Sequence, residues 1–559
     1  MPTKFPSRQS LEGDTLQLFF RLVRPADIGH LSQHLDCLLS RLRGAEHENI
    51  ACLVRLYKLI GQTRDIVYGK GERQLAIAQI WVWYRHYPYL AVTALHLLVF
   101  SPTYKHPLGS WKDLKHFCEY VRQKSGLEDH PLIFHALAMA KYQLDYDWGT
   151  FRAREEGRTT SPLRCSLFAR WFPREKSKPF GWIFRKFARL YFPGLFATAK
   201  RRGSLRRATK KARAQLRKRL TALSESTGTV EIKMSTGRWG QIDYARVPSQ
   251  ALHRYRLAFS NLTHQGAQRS RSADRIRGAA NYCRYLAATD IRSVSAARCS
   301  VGQLVKAALS ATVAVDIRLV NAQWEANRLK SQATRRHILA MLDTSVDIEW
   351  SACAYYTAIG LAVRASEISE PPFKDKLLTF GNPPRWISLE GCTTLTQKVK
   401  KIVGTRRTVG RAFAGALRLL VEAVPPGSRQ ASSLTVVVIS DMESEAIPAI
   451  FASSFRLPPT WPPRTVPCGP ALVCWNLCGG QKLRTEGSAR QLTLLSGHSC
   501  SLLNLLHAAT RVGYTPVSPL SRLDGLLRHP RYALFEAAIN GYFLQDKYIS
   551  KVNKNTGVK

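Results

Sequence analysis

The eight residues Leu434–Asp441, LTVVVISD, constrain the fold of this chain more than any other stretch. A β-branched run with no polar alternation is the pattern of a strand buried on both faces, as in parallel sheets covered by helices on each side. The surrounding sequence supplies the rest of such a sheet. His337–Asp343 reads as a short strand ending in an acidic loop, Trp350–Glu367 as a helix, Lys376–Phe380 as a strand and Gly410–Val424 as a helix. Ala471–Leu477 and Gln491–Leu495 complete the set, with the Pro-rich Leu457–Pro470 as a connecting loop. Alternation of this kind predicts an open, doubly wound, Rossmann-like α/β domain over residues 335–559.

Upstream the period changes. Leu31, Leu35, Leu38, Leu39 and Leu42 show the three-to-four spacing of one buried helical face. The stretches around 50–60, 72–86, 90–100, 111–124 and 131–144 repeat the theme without a strict repeat length. Residues 1–334 are therefore expected to form a HEAT-like all-α region. The run Tyr89–Phe100 is too short to span a bilayer, so no membrane span is expected. No signal peptide is read at the start, where Lys4 and Arg8 are not followed by an apolar stretch. The twelve cysteines include no paired CxxC clusters. A metal at Cys468, Cys474, Cys478 and Cys500 is the lesser reading beside buried free thiols.

Charge narrows the function classes. The 559 residues carry a formal net charge of +44, far beyond what solubility needs, and self-repulsion of this size calls for an anionic partner. Residues 151–220 hold 22 Lys/Arg against three Glu. Between Leu205 and Leu223 the positions Leu205, Ala208, Ala212, Leu216, Leu220 and Leu223 form one apolar stripe, and most of the remainder is cationic. One face of such a helix packs while the other projects charge. The candidate phosphate contacts on and around it are Arg201, Arg202, Arg206, Arg207, Lys210, Lys211, Arg213, Arg217 and Lys218. Just upstream, RWFPREKSKPFGW (Arg170–Trp182) mixes aromatics with Arg170, Arg174, Lys176 and Lys178. Such mixing suits RNA, whose phosphates take cations and whose unpaired bases take rings. Equally, the rings belong to the core and only the cations face out.

Several phrases in order resemble the family catalogued as domain of unknown function 2828. They are YGKGER (Tyr68–Arg73), GSWKDL (Gly109–Leu114), RWFPREKSKPFGW, RWGQIDYARVPSQA (Arg238–Ala251), the DTSVD loop (Asp343–Asp347), SDMESEA (Ser440–Ala446), CWNL (Cys474–Leu477) and LLSGHS (Leu494–Ser499), spread over about residues 60–530. The family's architecture is similar to that of the Ro autoantigen proteins, a TROVE-like helical region joined to a von Willebrand factor A domain. Ro proteins bind structured and misfolded non-coding RNA, so the resemblance implies an RNA-binding or ribonucleoprotein role. It also implies a metal-ion site in the von Willebrand A half, where Mg²⁺ meets hydroxyl and carboxylate oxygens. Asp343, Ser345 and Asp441 fit that pattern, Asp347 stands where it has a second Ser, and Thr408 lies one residue from the expected Thr. Two outcomes stay open: a bound divalent cation, or a metal-free domain whose carboxylates pair with Arg406 or Arg407.

GKGER lacks the Walker pattern and reads as a helix N-terminus with Glu72 and Arg73 paired to neighbours. Trp111 is expected to anchor helix packing, with Lys112 and Asp113 in surface or interhelical pairs. His498 lies beside Ser496 and Ser499 without a third partner, and no complete catalytic set emerges. The expected function is a non-catalytic RNA-binding protein or ribonucleoprotein component. The alternatives are a scaffold gripping an acidic protein partner through a metal and, last, a metal-dependent nuclease using Asp343, Asp347 and Asp441. A cytoplasmic location is expected. Lys200–Arg219 leaves the nucleus open, and Arg21 and Arg24 around an apolar stretch leave the mitochondrion open.

Overall fold

The structure is a computed structural model. It describes residues 8–24, 26–100, 107–158, 165–197, 199, 201–288, 299–330, 337–345, 352–405, 409–426, 428–442, 447–455, 469–479, 492–499, 502–503 and 518–543. The chain divides into two compact units, one of residues 1–75 with 243–559, the other of residues 76–242. The division at residue 334 follows the change of pattern along the sequence. Compactness instead groups the first 75 residues with the α/β part, through contacts that no local pattern announces.

In the first unit the sheet strands are β1 (Ile338–Leu342), β2 (Lys376–Thr379), β3 (Arg385–Ser388), β4 (Thr435–Ser440), β5 (Ala471–Asn476) and β6 (Leu492–Ser496). Their order is β3-β2-β1-β4-β5-β6, parallel throughout except β3, which pairs antiparallel with β2. This is the doubly wound order expected from LTVVVISD. Every residue of β1, β4, β5 and β6 is buried, as a strand covered on both faces requires. The order reverses between β1 and β4, so Asp343 and Asp441 leave the sheet at the topological switch point, where open α/β sheets bind ligands.

Helices α1 (Arg8–Arg21), α2 (Ile28–Leu42) and α3 (Ile50–Arg64) belong to this unit too. Buried polar contacts tie them to the sheet and the C-terminal helices. Lys70 Nζ, fully buried, donates to the carbonyls of Phe19 (2.5 Å) and Leu22 (3.0 Å) just at and beyond the end of α1, and to Ser496 Oγ at the end of β6 (2.7 Å). Asn476 Nδ2 at the end of β5 donates to Phe20 O at 3.2 Å. His498 lies 3.1 Å from Arg24 O and 3.2 Å from Thr357 Oγ1, and Glu72 pairs with Arg24 at 2.6 Å. Asp65 takes two bonds from Arg531, at 2.8 and 2.9 Å. The phrases YGKGER, CWNL and LLSGHS thus meet at the carboxyl ends of β5 and β6. Gly69 is needed there, because a Cβ would lie 2.0 Å from Gln62 O. Glu72 is paired as the sequence suggested, and Lys70 serves as a cap for the end of α1, not as a phosphate ligand.

The second unit is helical. After the remainder of Arg73–His86 come α4 (Pro88–Val99), α5 (Trp111–Ser125), α6 (Pro131–Glu155), α7 (Phe168–Trp171), α8 (Gly181–Tyr191), α9 (Gly194–Ala197) and α10 (Arg202–Ser226). Local signals set the boundaries. Ser110 and Asp113 form a capping box at the start of α5, Gly126 at φ 72° ends it, and Pro131 opens α6. Asp113 thus serves as a helix cap. Trp111 makes edge contacts with Phe100 and Phe168, the packing role expected of it. The stripe Ala208, Ala212, Leu216, Leu220 and Leu223 of α10 is buried, and the helix packs on α6, α7 and α8. Each fully buried leucine stabilises the unit by about 2 kcal/mol relative to exposure. Leu205, read as part of that stripe, is exposed instead.

Candidate functional site

The carboxylate site lies at the switch point. Asp343 follows β1 and is completely buried. Its Oδ1 accepts from Ser345 N (3.0 Å) and Ser345 Oγ (2.8 Å), and its Oδ2 accepts from Ser440 Oγ (3.2 Å). Ser440 Oγ also lies 3.0 Å from Asp441 Oδ1. The arginine between the two carboxylates is Arg411: its Nε is 3.3 Å from Asp343 Oδ2 and its Nη2 is 2.5 Å from Asp441 Oδ2. Backbone pairing places it there. Arg411 bridges Gly381 and Ala412 N donates to Phe380 O at 2.9 Å, immediately after β2. Gly410, at φ +83°, makes the turn into that bridge. Burial pushes the Asp343 carboxyl up, while the Ser345 bonds and then Arg411 pull it back.

Of the residues singled out in the sequence, Asp343, Ser345 and Asp441 are brought together here. Asp347, Thr408, Arg406 and Arg407 lie outside the described residues. Sequence reasoning missed Arg411, whose only signal is its place after a glycine and two residues before Phe413. The described part of the set does not fit a divalent cation as it stands. A guanidinium already bridges the inward oxygens of both carboxylates, and Ser345 is bonded to Asp343. No group of three or more His, Cys, Asp or Glu with metal-site geometry occurs among the described residues.

The cationic surface lies on the second unit. Residues 76–242 contain 31 Lys/Arg and 11 Asp/Glu, a net +20 in 167 residues. On α10, Arg202, Arg206, Arg207, Lys210, Lys211 and Lys218 are exposed and have no carboxylate in ion-pair range among the described residues. At 100° per residue, Arg206, Lys210, Arg207, Lys211 and Lys218 fall on the side opposite the buried stripe. From Arg206 to Lys218 that face runs about 18 Å. Arg201, Lys176 and Lys178 are also exposed.

Four predicted contacts are held internally. Arg213 and Arg217 pair with Glu175, at 3.5 and 2.5 Å, and Arg170 pairs with Glu231 at 2.5 Å. Arg174 donates to Ser224 Oγ at 3.3 Å. In RWFPREKSKPFGW, Phe172 and Trp182 are buried, and Trp182 Nε1 donates to Glu119 at 2.7 Å. Those two rings are core, while Lys176 and Lys178 face out. Trp171 is part-exposed beneath Arg170 (5.1 Å), Lys112 (5.5 Å) and Lys115 (5.9 Å).

No helix among the described residues is long and apolar enough to cross a membrane. Comparison with known proteins gives two family matches. Residues 141–269, which include the cationic helix, match the model described as Domain of unknown function (DUF2828). Residues 337–513, which hold the whole sheet, match a separate one, Domain of unknown function (DUF7788). The resemblance read over residues 60–530 is thus divided between two models. The chain is 26% identical to "Uncharacterized protein L728" of Acanthamoeba polyphaga mimivirus over 499 residues, 85% of this chain and 79% of that protein. The crystal structure of Deinococcus radiodurans RO (RSR) protein matches 75% of this chain and 98% of its own length at 15% identity, with a TM-score of 0.25, which carries no argument about function.

Proposed function

We propose that this chain, whose residues 141–269 match the model described as Domain of unknown function (DUF2828), is a non-catalytic RNA-binding protein, a component or assembly factor of a ribonucleoprotein. The observation that carries the reading is the outer face of α10, where Arg206, Arg207, Lys210 and Lys211 stand exposed with no acidic partner among the described residues. A polyanion would release its counterions on such a face, and the affinity gained would not depend on sequence. The competing scaffold reading needs a metal open to a partner's carboxylate, and Arg411 stands between the carboxylates that would hold one.

The test is reversal of Arg206, Arg207, Lys210 and Lys211 to Glu in the full chain. Arg213 and Arg217 are left alone because they hold Glu175. RNA affinity should fall strongly, and the log–log salt slope should flatten by roughly one unit per lost contact. An unchanged affinity and slope in a folded quadruple variant would refute the assignment.

A further inference from the structure

Helix α6 turns an aromatic row to the outside. Its buried side holds Leu132, Ile133, Ala136, Leu137, Ala140 and Leu144, yet Phe134, Tyr142 and Tyr146 are 42%, 68% and 51% exposed. These three and Ala138 share one i, i+4 line. At Ala138, where the line lacks a large side chain, a shallow depression of about 370 Å³ opens among Ala138, Lys141, Tyr142, Asp145 and Tyr146. Aromatic exposure on this scale costs solubility unless something uses it.

Cations lie beside the row. Lys186 of α8, which also pairs with Asp129, sits 4.7 Å above the Phe134 ring. Arg219 of α10 lies 5.1 Å from Trp148 and 5.4 Å from Tyr191, whose hydroxyl donates to Asp145 in the depression. The one acid in the depression, Asp145, is already taken by Lys141 (3.2 Å) and the Tyr191 hydroxyl (2.5 Å). A surface of exposed rings set among cations, in a unit of net +20, complements a polyanion that also offers flat apolar faces.

We propose that the row Phe134–Tyr142–Tyr146 is a stacking platform for unpaired bases, so that the RNA this chain takes carries a single-stranded stretch. The inference rests on the RNA reading above and names its substrate class. Along the helix Tyr142 and Tyr146 lie about 6 Å apart, and Phe134, eight residues before Tyr142, about 12 Å from it. Both spacings are wider than the roughly 3.4 Å rise between stacked bases of a duplex strand. The row suits bases already splayed apart, which a duplex does not offer and a single strand does.

The experiment uses the full chain, a 12-nucleotide oligouridylate or oligoadenylate, and an RNA duplex of equal length, with affinities read by fluorescence anisotropy at one salt concentration. Tyr142→Ala with Tyr146→Ala should weaken single-strand binding about tenfold or more per ring lost. Duplex affinity and the salt slope should hold within twofold, and Tyr142→Phe with Tyr146→Phe should restore the loss. Both positions are exposed, so the fold should survive, and circular dichroism checks that it does. Equal losses for single strand and duplex, or no loss for either, overturn the platform while leaving the RNA reading to the α10 charge reversals. A wild-type chain that binds neither probe ends both. A wild type that sediments as a dimer and a Tyr142→Ala variant that sediments as a monomer would make the row a contact between copies, which also overturns the proposal.

Discussion

Replacing Arg411 by Ala should convert the switch-point site from one that ignores divalent cations into one that needs them. Asp343 and Asp441 have side chains 0% and 5% exposed, and Arg411 is 23% exposed. Removing one partner of a pair this buried costs about 3–5 kcal/mol, because uncompensated charge stays behind. At about 2 °C per kcal/mol for a large domain, the melting temperature should drop by about 6–10 °C. The vacated space then lies between two carboxylates and two serine hydroxyls, oxygen ligands suited to a hard cation. With a Kd of about 1 mM, 10 mM Mg²⁺ would restore about 1.4 kcal/mol, or about 3 °C. The assay is thermal unfolding of wild type, Arg411→Ala and Arg411→Lys with Mg²⁺ or with chelator. Wild type should be indifferent to both and the lysine variant nearly so. A wild type stabilised by Mg²⁺ as much as the alanine variant would refute the reasoning, since the metal and not Arg411 would then be the resident cation.

Two further outcomes test how the first 75 residues are held. Burial depresses the His498 imidazole below its ordinary value of 6.5. A group depressed in the folded state contributes stability that is present above the unfolded pKa and lost as pH falls through the folded one. The melting temperature should therefore decline from about pH 6.5 downwards, and His498→Gln should remove part of that decline. An unaltered pH profile in the variant would show that other groups govern it. Asp65→Ala strands Arg531, whose side chain is 4% exposed, and should cost about 3–5 kcal/mol in chemical denaturation. Adding Arg531→Met should recover part of the loss, and a double variant no more stable than the single one would contradict the buried-charge account.

How much of this was legible in the sequence follows from the range of the interactions. The strands β1, β2, β4, β5 and β6 were readable because burial on both faces leaves an apolar, β-branched run that needs no context. β3 was not: Arg385 and Trp386 of its four residues are exposed, as on an antiparallel edge, so no alternation marks it. The buried stripe of α10 was readable for the same local reason, except at Leu205 near the helix start. The meeting of Asp65 with Arg531, or of Lys70 with Ser496, spans more than 400 residues and leaves only motifs of unstated purpose. Arg411 was hidden for a third reason. Its role depends on a single backbone bridge after β2, and neighbouring Arg406 and Arg407 carry the same charge in a more conspicuous pair. Residue type pointed to an arginine in that loop; only the bridge says which one.

The distribution of acids explains why the cationic face of α10 remains uncovered. A unit of net +20 must fold against its own repulsion, and its acids are placed where they lower that cost inside the fold. Asp113 caps α5, and Asp147 is buried under Ser166. Glu119 and Glu128 lie with Arg122, and Asp129 with Lys186. Asp145 pairs with Lys141, and Glu156 with Arg152. Glu175 holds Arg213 and Arg217, and Glu231 holds Arg170. Nine of the unit's eleven acids are thus engaged, and none of these nine reaches Arg206, Arg207, Lys210 or Lys211. Were the charge on α10 only a solvated helix face, i, i+4 acids would be the ordinary way to stabilise it, at a few tenths of a kcal/mol each. The helix instead repeats cations at those intervals, 202–206–210 and 207–211, where like charges destabilise it by similar amounts. A face that accepts this penalty in the free chain is relieved of it when phosphates arrive. That relief adds to the binding free energy, and it ties the packing of α10 to the RNA function proposed for it.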